Sequence, residues 1–377
     1  MRYFLTDFYN QFKCVGASCP ETCCQGYWDI IIDDKTYKMY EAYEEPFRSS
    51  VLSGIENNGD KYRIKFDEEK MCPFLRNGLC GLYIEKGEKA MSFTCATHPR
   101  SVMMSNSLTC MSVMASCPEV AKILWHKRDR IDFTVYEDEN CDNSPNSEEN
   151  DVKFSLVLEG LIASVEILQD DVPMNIKLRL LVNLNMLIER ALIDHNESAV
   201  TNVAVQLQNP DVRYSEYRGY ADASDSYSGK GIEILNYILS LFEYVERNEK
   251  MKTDILLGEL EKLIKAQNVS DGEARKSFMK NRKILLENLM VNFLFEKYLG
   301  IMQGDNPSIH IFKVILYGVF ISLSPLSGEN LGKSEKILLI SRISKLFENA
   351  TVFTTISERI YKEFGIGASY MLIDLFE

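Results

Sequence analysis

The chain has 377 residues, 46% of them hydrophobic and 11% aromatic, with 42 Lys+Arg against 55 Asp+Glu for a net charge of −13. That apolar content suffices for one large core or two modest ones and excludes the disordered and collagen-like classes. The acidic balance, with a pI near 5.0, lacks the basic face that a phosphate backbone requires, so nucleic acid is not an expected partner.

The opening segment, MRYFLTDFYNQFK, has neither the apolar run nor the small-residue cleavage site of a signal peptide. Trp28, Ile30 and Ile32 alternate with Asp29, Ile31 and Asp33, and Tyr62, Ile64 and Phe66 with Arg63 and Lys65, which predicts two short strands. A helix is expected from Asp34 to about Val51, and another from Pro118 to about Lys127, where Pro118 suits a first helical turn. Residues 136–150, YEDENCDNSPNSEEN, carry six acidic residues and several turn formers, and read as a linker.

Beyond the linker the pattern is helical. Leu158, Leu161, Ile162 and Val165 form one stripe, and Leu178, Leu181, Val182, Leu184, Leu187 and Ile188 a second, entered through Pro173. Further helices are expected over 231–247, 251–267, 273–299, 307–323, 333–347 and 354–363. The stretch 209–230 has little apolar content beyond Tyr214, Tyr217, Tyr220 and Tyr227 and reads as a loop, although tyrosines spaced by three also suit one face of a short helix. The longest apolar run, Ile311 to Leu323, contains Lys313 and falls short of the ~20 residues of a bilayer span. No membrane partner is expected, and a cytoplasmic location is. The fold class is mainly α: a small α+β cysteine-rich module over 1–135, an acidic linker over 136–150 and an all-α helical domain over 151–377.

All ten cysteines lie between Cys14 and Cys141. In a reducing compartment, thiols clustered in this way are more often metal ligands or catalytic groups than disulfides. Cys14, Cys19, Cys23 and Cys24, then Cys72 and Cys80, then Cys95 and Cys117, supply turns on which thiolates can converge on a soft metal. Four thiolates satisfy a tetrahedral zinc or a cubane iron–sulfur cluster, so eight exceed one site. Cys110, amid Met and Leu, and Cys141, in the acidic stretch, read as packing residues. Cys19-x3-Cys23 begins the radical-SAM triplet, but Gly26 stands where its third cysteine belongs.

The motifs Phe12-Lys-Cys14…Cys19-Pro-Glu-Thr-Cys23-Cys24-Gln-Gly-Tyr-Trp28, Cys72-Pro-Phe-Leu75…Gly78-Leu-Cys80, Ser92-Phe-Thr-Cys95-Ala-Thr-His98-Pro-Arg100 and Ser116-Cys117-Pro-Glu119 resemble the flagellin lysine-N-methylase family, part of a CxxCxxCC group described as zinc- or iron-chelating. Leu286-Glu287-Asn288-Leu289…Asn292-Phe293 is similar to a helix of that family, which commonly has Tyr at the positions of His98 and Leu289. His98 is either an extra ligand three residues after Cys95 or a buried or solvent-facing imidazole.

The resemblance implies transfer of methyl from S-adenosylmethionine to lysines of flagellin or a similar surface protein, with an iron–sulfur cluster (4Fe-4S) in the cysteine-rich module and zinc as the alternative. No strand leading into a G-x-G-x-x-G turn marks a Rossmann cofactor site. Glu287, Asn288 and Asn292 supply polar groups on one helix, with Asn288 and Asn292 on one face, and Arg100 sits close to Cys95 in sequence; these four are the candidate catalytic residues. Ordinary helix-surface or capping roles for Glu287 and Asn292, a salt bridge for Arg100, and strand-end hydrogen bonding for Asp29 and Asp33 are the alternatives. The rival function is a non-catalytic zinc- or iron-chelating or redox-sensing protein with a helical interaction domain.

Overall fold

The computed structural model describes residues 2–25, 30–57, 59, 61–68, 71–105, 108–137, 148–221, 227, 229–249, 277, 279–323, 331–349 and 351–376. The chain opens with strand β1 (Arg2–Thr6) and two 3₁₀ turns (Tyr9–Gln11 and Gly16–Ser18). A small three-stranded sheet follows. Its strands are β2 (Ile31–Ile32), β3 (Ile55–Asn57) and β4 (Tyr62–Ile64), with β4 between the other two, and helices α1 (Asp34–Glu41) and α2 (Phe47–Ser53) lie along the chain between β2 and β3. Asp33 caps α1, its carboxylate accepting from the Thr36 amide at 2.9 Å and the Thr36 hydroxyl at 2.7 Å. The single helix expected from 34 to 51 is two helices. Pro46 has no amide to donate and disfavours helical geometry in the residue before it, so the chain breaks between Glu41 and Phe47.

Next come the hairpin β5 (Leu75–Arg76) and β6 (Leu79–Cys80), then α3 (Gly81–Lys86) and α4 (Phe93–Thr97). Strands β7 (Arg100–Ser105) and β8 (Leu108–Val113), helix α5 (Pro118–His126) and strand β9 (Phe133–Glu137) complete this half. The larger sheet has the order β7-β8-β1-β9, with β1 parallel to β8 and antiparallel to β9. Strands β1, β7 and β8 escaped the sequence pattern. Leu108, Thr109, Cys110, Ser112 and Val113 of β8 are all buried, so the strand is covered on both faces and shows no alternation.

The second half is helical: α6 (Glu148–Gln169), α7 (Met174–Asp194), α8 (Glu197–Gln206), α9 (Pro210–Ala221), α10 (Gly231–Glu249), α11 (Lys283–Lys297), α12 (Pro307–Leu323), α13 (Lys333–Asn349), α14 (Thr351–Phe364) and α15 (Gly367–Ile373). The loop expected over 209–230 is corrected over its first part by α9. Arg213 and Tyr217, both buried, fix that helix: Arg213 reaches Glu166 on α6 and Asp170 just past its end, and the Tyr217 hydroxyl donates to Asp170 at 2.7 Å. Its inward face is polar and aromatic, which hides it from an aliphatic periodicity. Of the 273–299 helix, the described regular part is α11, and the helix expected over 251–267 lies outside the described residues. So do residues 138–147 of the acidic stretch; Tyr136 and Glu137 end β9, and α6 begins at Glu148.

Two hydrophobic cores result. The larger joins Leu5, Phe8, Val113 and Leu124 from the first half to Leu161, Leu181 and Phe293 from the helices. The smaller is built on Ile30, Ile32, Tyr40, Ile64, Phe74 and Leu82, and it includes Cys72, with Cys24, Cys80 and Cys95 packed against it. Among the described residues, no helix is long and apolar enough to cross a membrane.

Candidate functional site

The smaller core surrounds a cavity of about 40 Å³ lined by Cys23, Cys24, Cys72, Cys80, Cys95 and His98. Local structure explains the convergence. The Cys72 amide donates to the Cys24 carbonyl at 2.8 Å, tying the first cysteine loop to the second. Asn77 and Gly78, with φ of 50° and 79°, form the tight turn between β5 and β6 and return the chain at Cys80. Ser92 caps α4 by accepting from the Cys95 amide at 3.3 Å, and His98 ends that helix one turn later. Ile32, Tyr40, Phe74 and Leu82 close the apolar walls.

The thiols influence one another. Hydrogen bonds from Cys23 and Cys72 push the Cys24 thiol well below its ordinary value toward thiolate, while the same bonds, followed by burial, push Cys23 and Cys72 up. Burial raises Cys95 to about 11 and lowers His98 to about 4, which keeps that imidazole neutral.

Eight cysteines were expected as metal ligands, and the structure divides them. Cys14, Cys19 and Cys117 do not line the cavity; their charges act on one another, and that of Cys14 also acts on Cys23. The Cys19 thiol donates to the Glu21 carbonyl at 3.1 Å, and Cys117 precedes Pro118 at the first turn of α5. Cys110 is buried in β8 as a packing residue, and Cys141 lies outside the described residues.

Helix α13 ties the first cysteine loop and the residues just before Cys117 to the helical half. Arg342 and Lys345 both pair with Glu21, inside the Cys19–Cys23 loop, the latter at 3.4 Å. Ser341 donates to the Ser116 carbonyl at 2.8 Å, and Glu348 accepts from the amides of Ala115 and Ser116 at 3.0 and 2.9 Å. The sequence pattern predicts a helix over 333–347 and nothing about what its polar face meets. Its polar face, at positions 341, 342, 345 and 348, was the available signal.

The candidate catalytic residues stand elsewhere. Glu287, Asn288 and Asn292 are fully buried on α11, which corrects the helix-surface alternative. Glu287 meets Lys177 at 2.5 Å and Arg130 at 3.2 Å. Asn288 accepts from the Ile131 amide at 3.0 Å and donates to the Asp129 carbonyl at 2.9 Å. Asn292 donates to the Val113 carbonyl at 3.0 Å and accepts from the Ser112 hydroxyl at 2.5 Å. These side chains bind the first half of the chain to α11. Arg100, exposed at the start of β7, lies over the Phe12 ring at 5.2 Å and the Tyr9 ring at 6.0 Å. Asp33 caps α1, and Asp29 lies outside the described residues.

The donor set is that of a soft metal or cluster: five thiols and one imidazole about one largely apolar cavity. Among the described residues, no three His, Cys, Asp or Glu side chains form a group that could hold a metal ion as they stand.

No family model matches the chain, and no solved structure matches it. Over 131 residues, 33% of its length, the chain is 30% identical to the flagellar biosynthetic protein FliU of Salmonella muenchen, and the match covers 77% of that protein. The same identity over 131 residues relates it to the lysine-N-methylases of Salmonella typhimurium and Salmonella choleraesuis, of which the match spans 32%. The chain belongs to the family of FliU and the lysine-N-methylases.

Proposed function

We propose that the protein is an S-adenosylmethionine-dependent lysine N-methyltransferase acting on flagellin, or a similar surface protein, in the cytoplasm before export. Its relatives named lysine-N-methylase carry this reading. In such a transfer the lysine nitrogen lone pair forms the new N–C bond and the C–S bond of the sulfonium breaks. Its electron pair remains on sulfur as a thioether, and the amine proton leaves to a base or water. Acceleration comes mainly from aligning and desolvating the amine.

A 4Fe-4S cluster, with zinc as the alternative, is assigned to the cavity of Cys23, Cys24, Cys72, Cys80 and Cys95, whose donors suit it chemically. Its role there is to hold the thiols together, because metal binding adds folding free energy to a small module with little core of its own.

The engagement of Asn288 and Asn292 with backbone groups of the first half favours one rival, a metal-binding interaction protein without catalysis. Titration with S-adenosylmethionine separates the two, followed by transfer of labelled methyl to purified flagellin. Saturable binding with label on lysine supports the methylase. Metal-loaded protein that binds no S-adenosylmethionine refutes it.

A further inference from the structure

We propose that His98 is a nitrogen ligand of the group held by the thiol cavity, making the site a mixed thiolate–imidazole centre; this rests on the metal reading above. Cys95 lies on α4 and His98 caps the C-terminal end of that helix three residues later, and both line the cavity. The Ser92 cap fixes the start of that helix, so the thiol and the ring are presented together. The remaining walls are largely apolar, and no carboxylate lines the cavity among the described residues.

Charge gives the ring a purpose. Five thiolates about one small cavity would concentrate negative charge in an apolar core, where it is poorly solvated. A neutral imidazole taken in place of one thiolate lowers that charge, and nitrogen in place of sulfur raises the reduction potential of an iron–sulfur centre. The other histidines do not compete for the role. His310 is buried against the Leu294 carbonyl at 3.1 Å, and His126 and His195 are exposed away from the cavity.

The test uses the full chain purified without oxygen and labelled with ¹⁵N-histidine, studied by pulsed electron paramagnetic resonance on its reduced iron, or on cobalt(II) put in place of zinc. A nitrogen hyperfine coupling that changes with the isotope is expected. In His98→Phe the coupling should vanish, and metal loss to a chelator should quicken roughly tenfold or more. Metal-loaded wild-type protein without nitrogen coupling overturns the ligand assignment alone, whatever the stability of the variant. Protein that takes up neither iron nor cobalt overturns the metal reading and the assignment together.

Discussion

Glu296 on α11 and Glu348 on α13 are two buried carboxyl groups, and the charge of Glu348 is the second cause, after burial, of Glu296 holding its proton well above the usual carboxylate range. Glu348 accepts from the Ala115 and Ser116 amides, while Glu296 accepts from the Asn292 amide group at 2.5 Å through one oxygen only. The other oxygen is buried with no hydrogen-bond partner among the described residues. Lys297 is the cation that acts on both carboxyl groups, and Tyr317 faces Glu348.

Stability should therefore depend on pH near neutrality. Burial raises Glu348 to about 7 from an ordinary 4.5, so across that window the folded protein binds more protons than the unfolded chain and stability falls as pH rises. Melting curves of wild type and Glu348→Gln between about pH 5 and 8 test this. The wild type should lose several degrees more than the variant, at about 2–4 °C per kcal/mol. Parallel profiles for the two proteins would show that the pair does not titrate there.

Glu287→Ala should destabilise the fold by about 3–5 kcal/mol, because it leaves Lys177 buried without its counter-charge. The double replacement Glu287→Leu with Lys177→Met should recover much of that loss, as read by denaturant unfolding. Equal losses in the single and double variants would mean that the ion pair is not the source.

Metal content should separate the two thiol groups. Cys24→Ser and Cys72→Ser should lose the metal, whereas Cys14→Ser should keep it, measured as iron, zinc and acid-labile sulfide per chain. Retention in Cys72→Ser would remove the cavity from consideration. Cys110→Ser should keep the metal yet lose about 1–3 kcal/mol of stability, since it buries a hydroxyl among apolar neighbours.

Freeing the first cysteine loop from α13 should change its chemistry. In Glu21→Gln the pairs with Arg342 and Lys345 weaken, and alkylation of Cys19 in metal-free protein should quicken several-fold. An unchanged rate would show that the loop is held by its own backbone.

Much of this was legible in the sequence. The helix over 307–323 was readable from end to end, since its apolar run is long enough to exclude a strand. Thiol spacing pointed to a gathered set of soft donors, and five of those thiols do line one cavity with His98. It did not disclose that Cys14, Cys19 and Cys117 stay out of the cavity lining, because that depends on how the β5–β6 hairpin and α4 fold around the second core. Nor did it disclose that Glu287, Asn288 and Asn292 are internal ties, since a polar residue on a helix looks the same whether it faces water or a carbonyl from a distant strand. Position 98 was ambiguous on its own; only the wall it shares with Cys95 resolves where the ring lies.

The contact between Glu21 and Lys345 spans 324 positions of the chain. At about 5–20 residues per second, a ribosome needs roughly 15–65 s between making the first cysteine loop and making the helix that covers it. During that interval the newborn loop lacks its α13 cover, and the thiols depend on the reducing capacity of their surroundings. Covering the loop then becomes a late event in the life of each molecule, paced by translation and preceded by exposure to any oxidant met on the way.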